Sequence, residues 1–586
     1  MAGVSIAEHT KLSWLLLRRA LRSFVGRLNA HPLLRWRFLS PKADRLVISP
    51  QDLRTADATR AAEIYAGRFA FAGKVVICDR RSPFEMTPPS EEWAKQLLGF
   101  GWLRHLRAAE SGITRANARA LVDEWISLQK TWQAVSWRPD ILARRVMSWL
   151  SQAPLVLHDS DVQFYRRFMR SLTRQVRYLR QNAAEAREGA ARLQVAIALT
   201  YAALCMAGQT KHLRATMKRL TDELESQILP DGGHVSRNPA MLVELLLDLL
   251  PLRQAFSTRN VTPPDQLLNA IDRMMPMLRF FRHGDGNFAL FNGMGPTAAD
   301  QLATILAYDD TRGAPVANAP HSGYQRLALK DLLVLVDTGR PPPIAVSQEA
   351  HASALAFELS TGGQRIVVNC GLPATNRESW RQLARATAAH STVTFNDTSS
   401  CQFRSSGMFR SLIGIPIVSG PQQIVIARED RDDDVVLRIS HDGYAERFGI
   451  VHQRSLMLTA GTRRLDGEDA FLPAQGKALP QGAKDEFAIR FHLHPAIKAN
   501  RLTDGHGVML MLPNREVWNF DAHEDRVELE ESVYLAGAEG PRRTLQIVIY
   551  GRARQVPRVH WTFSHVTPEK AAARRRGEEP ELPLGQ

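Results

Sequence analysis

Four cysteines (Cys78, Cys205, Cys370, Cys401) in 586 residues are too few for a disulfide framework, and no pair has zinc-ribbon spacing. No stretch reaches 18 uninterrupted apolar residues, so the sequence offers no transmembrane helix. Tryptophan is missing between Trp149 and Trp380, although eight of the eleven lie in the first 149 residues, which marks a change of composition along the chain. Acidic residues are absent from Trp14 to Phe38, where six arginines stand (Arg18, Arg19, Arg22, Arg27, Arg35, Arg37). The first ten residues carry Glu8 ahead of any apolar run, and no small-residue cleavage site follows, so a secretory signal is not evident. With 44% apolar and 23% charged residues the composition is that of a globular protein rather than a disordered or fibrous one.

The charge that is present is basic. Lys and Arg number 75 against 60 Asp and Glu, a net charge of +15 that favours polyanionic partners. Leu15, Leu16, Leu17, Leu21, Phe24, Val25 and Leu28 recur at helical spacing among the N-terminal arginines. Residues 14–38 therefore read as a basic amphipathic helix, either an anchor on an anionic membrane surface or a docking helix with solvated arginines. A second basic segment, residues 161–180, has six arginines (Arg166, Arg167, Arg170, Arg174, Arg177, Arg180) interleaved with Tyr165, Phe168 and Tyr178. It is either a polyanion groove or a solvated outer helix face. No zinc finger, RNP-type strand or P-loop accompanies it, so nucleic acid is not expected as a partner.

Hydrophobic periodicity divides the chain. From about residue 92 to 310 it is helical, as in residues 114–132, 139–157, 161–189, 191–208 and 239–256. After about residue 320 the period becomes two, in short β-rich runs such as residues 331–339, 354–371, 434–444 and 544–551, with no helical crossovers between them. The expected class is an α+β multidomain chain, with an N-terminal α/α toroid (an incomplete helical barrel) followed by an antiparallel β-sandwich. The expected divisions are a basic helix and extension over 1–90, the toroid over 91–315, the sandwich over 316–567 and a disordered tail over 568–586.

Six segments in this order resemble the heparinase II/III-like family of polysaccharide lyases. They are GAARLQVAIALTYAALCMAG (189–208), LPDGGHVSRNP (229–239), AHASALAFELSTGGQRIVVNCG (350–371), RATAAHSTVTFND (385–397), SHDGY (440–444) and RFHLHP (490–495). The resemblance implies action on an acidic, uronate-containing polysaccharide by β-elimination, and a place in the periplasm or cell envelope. The lack of an evident signal leaves cytoplasmic and membrane-peripheral locations open. Such a reaction needs a group to neutralise the uronate, a base for its C5 proton and an acid for the leaving oxygen.

The family's proton-transfer residues are largely replaced. Where its toroid helix carries Asn-His this chain has Ala190 and Ala191, and where its loop reaches Tyr-His it has Met241 and Leu242. Alanine neither donates a hydrogen bond nor moves a proton. A substitute set is expected from His234 as base or acid, Arg237 as carboxylate clamp and Tyr324 as phenol, with Asn238, Glu349 and Arg385 as substrate-binding side chains. Asn238 before Pro239 reads equally as a helix start. The resemblance also implies a divalent metal, zinc by its ligands, at His351, Asn369 and His390, with Glu349 in place of one usual histidine and Asn369 in place of the usual aspartate; the alternative is that both histidines hydrogen-bond within the sheet junction. The alternative to catalysis is a non-catalytic acidic-glycan-binding protein of the cell envelope or a polysaccharide-export system. His441 and Tyr444 in SHDGY are expected at a turn bent by Asp442-Gly443, and His492 and His494 share one strand face.

Overall fold

A computed structural model describes residues 45–128, 134–309, 313–374, 378–404, 414–476 and 484–566, together with Leu17 and Leu21. The basic segment 14–38, apart from those two leucines, and the tail 568–586 lie outside the described residues.

Helices come first and antiparallel sheets second, in a toroid followed by a sandwich. Why the helix Ala190–Cys205 lies at the centre of the first part is legible in its composition. It is rich in alanine, holds no acid, and is buried nearly all round from Leu193 to Cys205. It packs on the helices Pro139–Ser151, Leu213–Gln227 and Ala240–Thr258. Gly189 caps it at φ +84°, and a Cβ there would come within 2.8 Å of Cγ1 of Val346, so glycine lets the helix start meet the sandwich. The helix Val162–Gln181 shows the opposite pattern. Phe164, Phe168, Leu172, Val176 and Leu179 are buried, while Arg166, Arg167 and Arg170 face out and Arg174, Arg177 and Arg180 are half-buried.

The sandwich pairs a nine-stranded with an eight-stranded antiparallel sheet. All the β-rich runs read from the sequence become strands, including Leu332–Asp337, Phe357–Thr361, Gln364–Val368 and Glu486–Leu493. The expected turn at SHDGY is corrected: the strand Asp434–Tyr444 runs through it, and its pairing with Ile450–Thr459 slips between His441 and Tyr444. A bulge absorbs the Asp-Gly pair that was read as a bend. Between the sheets Trp561 stacks on Phe357 and meets Phe491 edge-on. Gly467 lies so close to the indole that a Cβ would sit 2.1 Å from it.

Toroid and sandwich share a core. Tyr324, Leu333, Leu335 and Val368 of the nine-stranded sheet belong to the same apolar cluster as the toroid helices. Each such buried side chain contributes roughly 1.5–3 kcal/mol, so this contact is built like a domain interior. Among the described residues, no helix is long and apolar enough to cross a membrane.

Candidate functional site

The loop between the helices Leu213–Gln227 and Ala240–Thr258 carries His234, Arg237 and Asn238, and the structure brings Arg237 against Tyr324 of the sandwich. His234 is buried away from them in its own loop. Its Nδ1 accepts from the Ser236 amide and hydroxyl (3.2 and 2.7 Å), and its Nε2–H donates to Gln227 (3.1 Å). Burial lowers its pKa to about 4. The ring is neutral at pH 7, and both nitrogens are occupied.

Arg237 is fully committed. Nε donates to Ser322 O (2.7 Å), Nη1 to Gly339 O (3.2 Å) and Arg340 O (3.0 Å), and Nη2 to Gly323 O (2.9 Å) and the Asp337 carboxylate. That is every donor a guanidinium has. The group lies 4.8 Å above the Tyr324 ring. The Tyr324 hydroxyl donates to Arg237 O (2.6 Å) and accepts from Asn292 Nδ2 (2.7 Å). Burial pushes this phenol well above its ordinary value, away from the range of a general acid or base near neutrality.

Asp337 closes the cluster. Its second oxygen accepts from Asn292 Nδ2 (3.1 Å) and Ser353 Oγ (2.6 Å). Asp231 adds a second tie, accepting from the Ser322 amide and hydroxyl (each 2.6 Å). Gly232 allows the loop this approach, since a Cβ on it would lie 1.9 Å from Arg273 O. Sequence reasoning missed Asp337, Asp231 and Asn292 as partners. Asp337 ends the strand Leu332–Asp337, and a lone carboxylate closing an all-apolar strand was the available signal. The arrangement works as a latch between loop and sheet.

The other expected residues scatter. Asn238 Oδ1 accepts from the Ala240 amide (2.9 Å), so it closes a turn just before the following helix. Glu349 is exposed and pairs with Arg381 at 2.7 Å. Arg385 is buried and donates to Ala350 O, Ile415 O and Ser347 O, which ties three loop segments together and turns it away from any ligand. Burial lowers its pKa to about 10. His492 is buried between Ser532 Oγ (2.8 Å) and Ala388 O (3.0 Å).

The sequence pattern described as "Heparinase II/III-like, C-terminal" matches residues 311–562. The chain is 31% identical over 520 residues to FtsZ-localized protein C of Caulobacter vibrioides (strain NA1000 / CB15N), covering 88% of this chain and 89% of that protein. The chain belongs to the heparinase II/III-like family. A crystal structure of heparinase III has the same fold, with a TM-score of 0.66 at 13% identity, covering 94% of this chain and 91% of that one. The heparan sulfate lyase HepC from Pedobacter heparinus matches with a TM-score of 0.57 at 14% identity, covering 89% of this chain and 85% of that one.

Within that heparinase II/III-like frame, two of the metal ligands implied by the resemblance, His351 and His390, come together, while Asn369 is bonded to other partners. His351 Nδ1 and His390 Nε2 are bonded directly to each other (2.9 Å), and His390 Nδ1 donates to Ala386 O (2.8 Å). Asn369 is held elsewhere: its Oδ1 accepts from Ser391 N (3.0 Å) and its Nδ2 donates to Glu358 (3.1 Å). Glu358 in turn meets His283 Nε2 at 2.9 Å. Because His390 Nδ1 donates to Ala386 O, the hydrogen between the rings belongs to His351 Nδ1, and the His390 Nε2 lone pair accepts it. Among the described residues, no group of three or more His, Cys, Asp or Glu is arranged to hold a metal ion.

Proposed function

We propose that this chain is a non-catalytic member of the heparinase II/III-like family that works together with FtsZ, its lyase frame serving as a binding scaffold. One observation carries the reading: the donors of Arg237 all go to protein acceptors, so the substitute clamp has none left for a uronate carboxylate. Two others support it. The toroid helix opens on Ala190 and Ala191, and the helix after the loop carries Met241 and Leu242, none of which moves a proton. The relative aligned over nearly its whole length is named for localisation with FtsZ.

The test is direct binding. Full-length protein is titrated into fluorescently labelled FtsZ from the same organism and followed by anisotropy, and a fluorescent fusion is imaged beside FtsZ in cells. Saturable binding with coincident localisation is expected. No binding, with a fusion spread uniformly through the cell, contradicts the proposal.

A second reading has support of its own. The net charge of +15, on a fold shared with a heparan sulfate lyase, favours an acidic polysaccharide of the cell envelope as a ligand that is held and not cut. A panel of acidic glycans, scored for both binding and unsaturated product, separates this reading from a retained lyase. Binding without product supports it, and product contradicts it. Contact with an anionic membrane surface through residues 14–38 belongs to the same proposal of an envelope-associated protein, and vesicle flotation with and without those residues tests it.

A further inference from the structure

One cavity lies apart from the latch. It occupies about 370 Å³ where the first two turns of the helices Pro139–Ser151, Ala190–Cys205 and Ala240–Thr258 converge with the helices Glu91–Gly99 and Leu103–Ala108. Five cations line it, namely Arg54, Arg60, Lys95, Arg104 and Arg144, against two carboxylates, Asp140 and Glu244.

The carboxylates nearby are already engaged. Asp140 pairs with Arg138 at 2.7 Å and Glu244 with Arg54 at 3.3 Å. Behind the wall, Asp248 is shared between Arg54 (2.7 Å) and both Nη atoms of Arg144 (2.8 and 2.9 Å). These two guanidinium groups hold its carboxyl down at about 2 despite burial. Lys95 is taken by Glu91 and Glu92.

Arg60 and Arg104 form no ion pair among the described residues. Arg104 donates through Nε to Thr55 O (3.0 Å) and through Nη1 to Gly101 O (2.7 Å), which fixes the guanidinium and leaves Nη2 over. Burial lowers its pKa, the nearby Asp52 carboxylate opposes that lowering, and the charges of Arg54, Arg144 and Arg60 add to it. His105, buried in the wall, accepts from the Asp57 amide at Nδ1 (2.9 Å), which places its hydrogen on Nε2 as a neutral donor. Gln96, Gln194 and Gln301 add amides that donate to and accept from hydroxyl groups.

We propose that this cavity is an oxyanion site that takes one phosphate or carboxylate head group, with Arg60, Arg104 and His105 as its donors and Arg54 and Arg144 supplying the field. Its volume suits a head group carried on a body of about one or two sugar rings. The site stands whether the protein's main partner is FtsZ or a glycan.

Calorimetric titration of the full chain at constant ionic strength, with inorganic phosphate in one arm and glucuronate in the other, tests this and tells a free ion from a sugar carboxylate. Saturable binding of at least one probe is expected, weakened about tenfold or more in Arg60→Gln and in Arg104→Gln. Arg170→Gln, on the outer face of Val162–Gln181, is expected to bind like wild type. Arg60 is exposed, so its variant keeps the test valid if Arg104→Gln fails to fold. Two results overturn the proposal: no saturable binding of either probe by the wild type, or equal weakening in all three variants, which would mean diffuse charge alone.

Discussion

Asn369 shows how one atom's change reshapes a neighbourhood. In the sequence it is a missing negative charge at a metal position. In the structure its Nδ2–H and amide N–H both face Glu358 (3.1 and 2.9 Å), in a pocket where Glu358 is fully buried. An aspartate here would set two carboxylates together and remove a donor, so asparagine is what this packing requires. Asn369→Asp is expected to destabilise the fold by about 2 kcal/mol at pH 7. The new carboxyl's folded pKa is raised, so the penalty is small below its unfolded value near 4 and grows as pH rises through the folded value. Urea melts at pH 4 and pH 7 check this, and an equal penalty at both contradicts it. The histidine pair yields a second expectation. Dialysis against a chelator leaves the melting temperature unchanged, and metal content is the same in wild type, His351→Ala and His390→Ala. A drop in melting temperature on chelation, or metal lost from either variant, would restore the metal reading.

At the scale of elements, helix and strand periods were legible where an element buries one face, as Val162–Gln181 and Ile450–Thr459 do. Strands that the reading passed over, such as Tyr324–Leu329 and Arg464–Pro473, interrupt their apolar alternation with arginine or acid at positions that other elements cover. Arg326, for example, donates to the carbonyls of Phe280 and Arg282 at the end of a toroid helix. The role of the 229–239 loop was beyond the sequence for a similar reason. Arg237 finds Asp337 a hundred residues away, and no local pattern announces that pairing. Its spacing beside His234 suggested catalysis, whereas the partners make it a fastener. Restoring the family's pair by Ala190→Asn with Ala191→His, both half-buried at the helix start, should leave the circular dichroism spectrum unchanged and create no eliminating activity. Measurable activity in that double variant would show that an open catalytic cleft persists.

For the whole molecule, the latch and the shared core make toroid and sandwich one body. Arg237→Ala leaves Asp337 buried without its cation and is expected to remove about 3 kcal/mol or more of stability. Limited proteolysis should then cut between the two parts, and a wild-type digestion pattern contradicts this. Acid sensitivity follows from the buried neutral imidazoles. Burial lowers His234 and His390 to about 4 and His492 to about 3, below the ordinary 6.5. An unfolded chain takes up these protons first, so their contribution is complete above pH 6.5 and is lost as pH falls toward 4. Melting temperature should fall steeply across that window, and a flat profile there contradicts the assignment.

The central claim is that the heparinase II/III-like frame is kept without its chemistry. The measurement that meets it most directly is incubation of the purified full-length chain with heparan sulfate and a panel of other uronate-containing polysaccharides, following the ultraviolet absorbance of the 4,5-unsaturated product beside a heparinase III control. The predicted result is a trace indistinguishable from buffer on every substrate. Product that accumulates in proportion to protein concentration would contradict it.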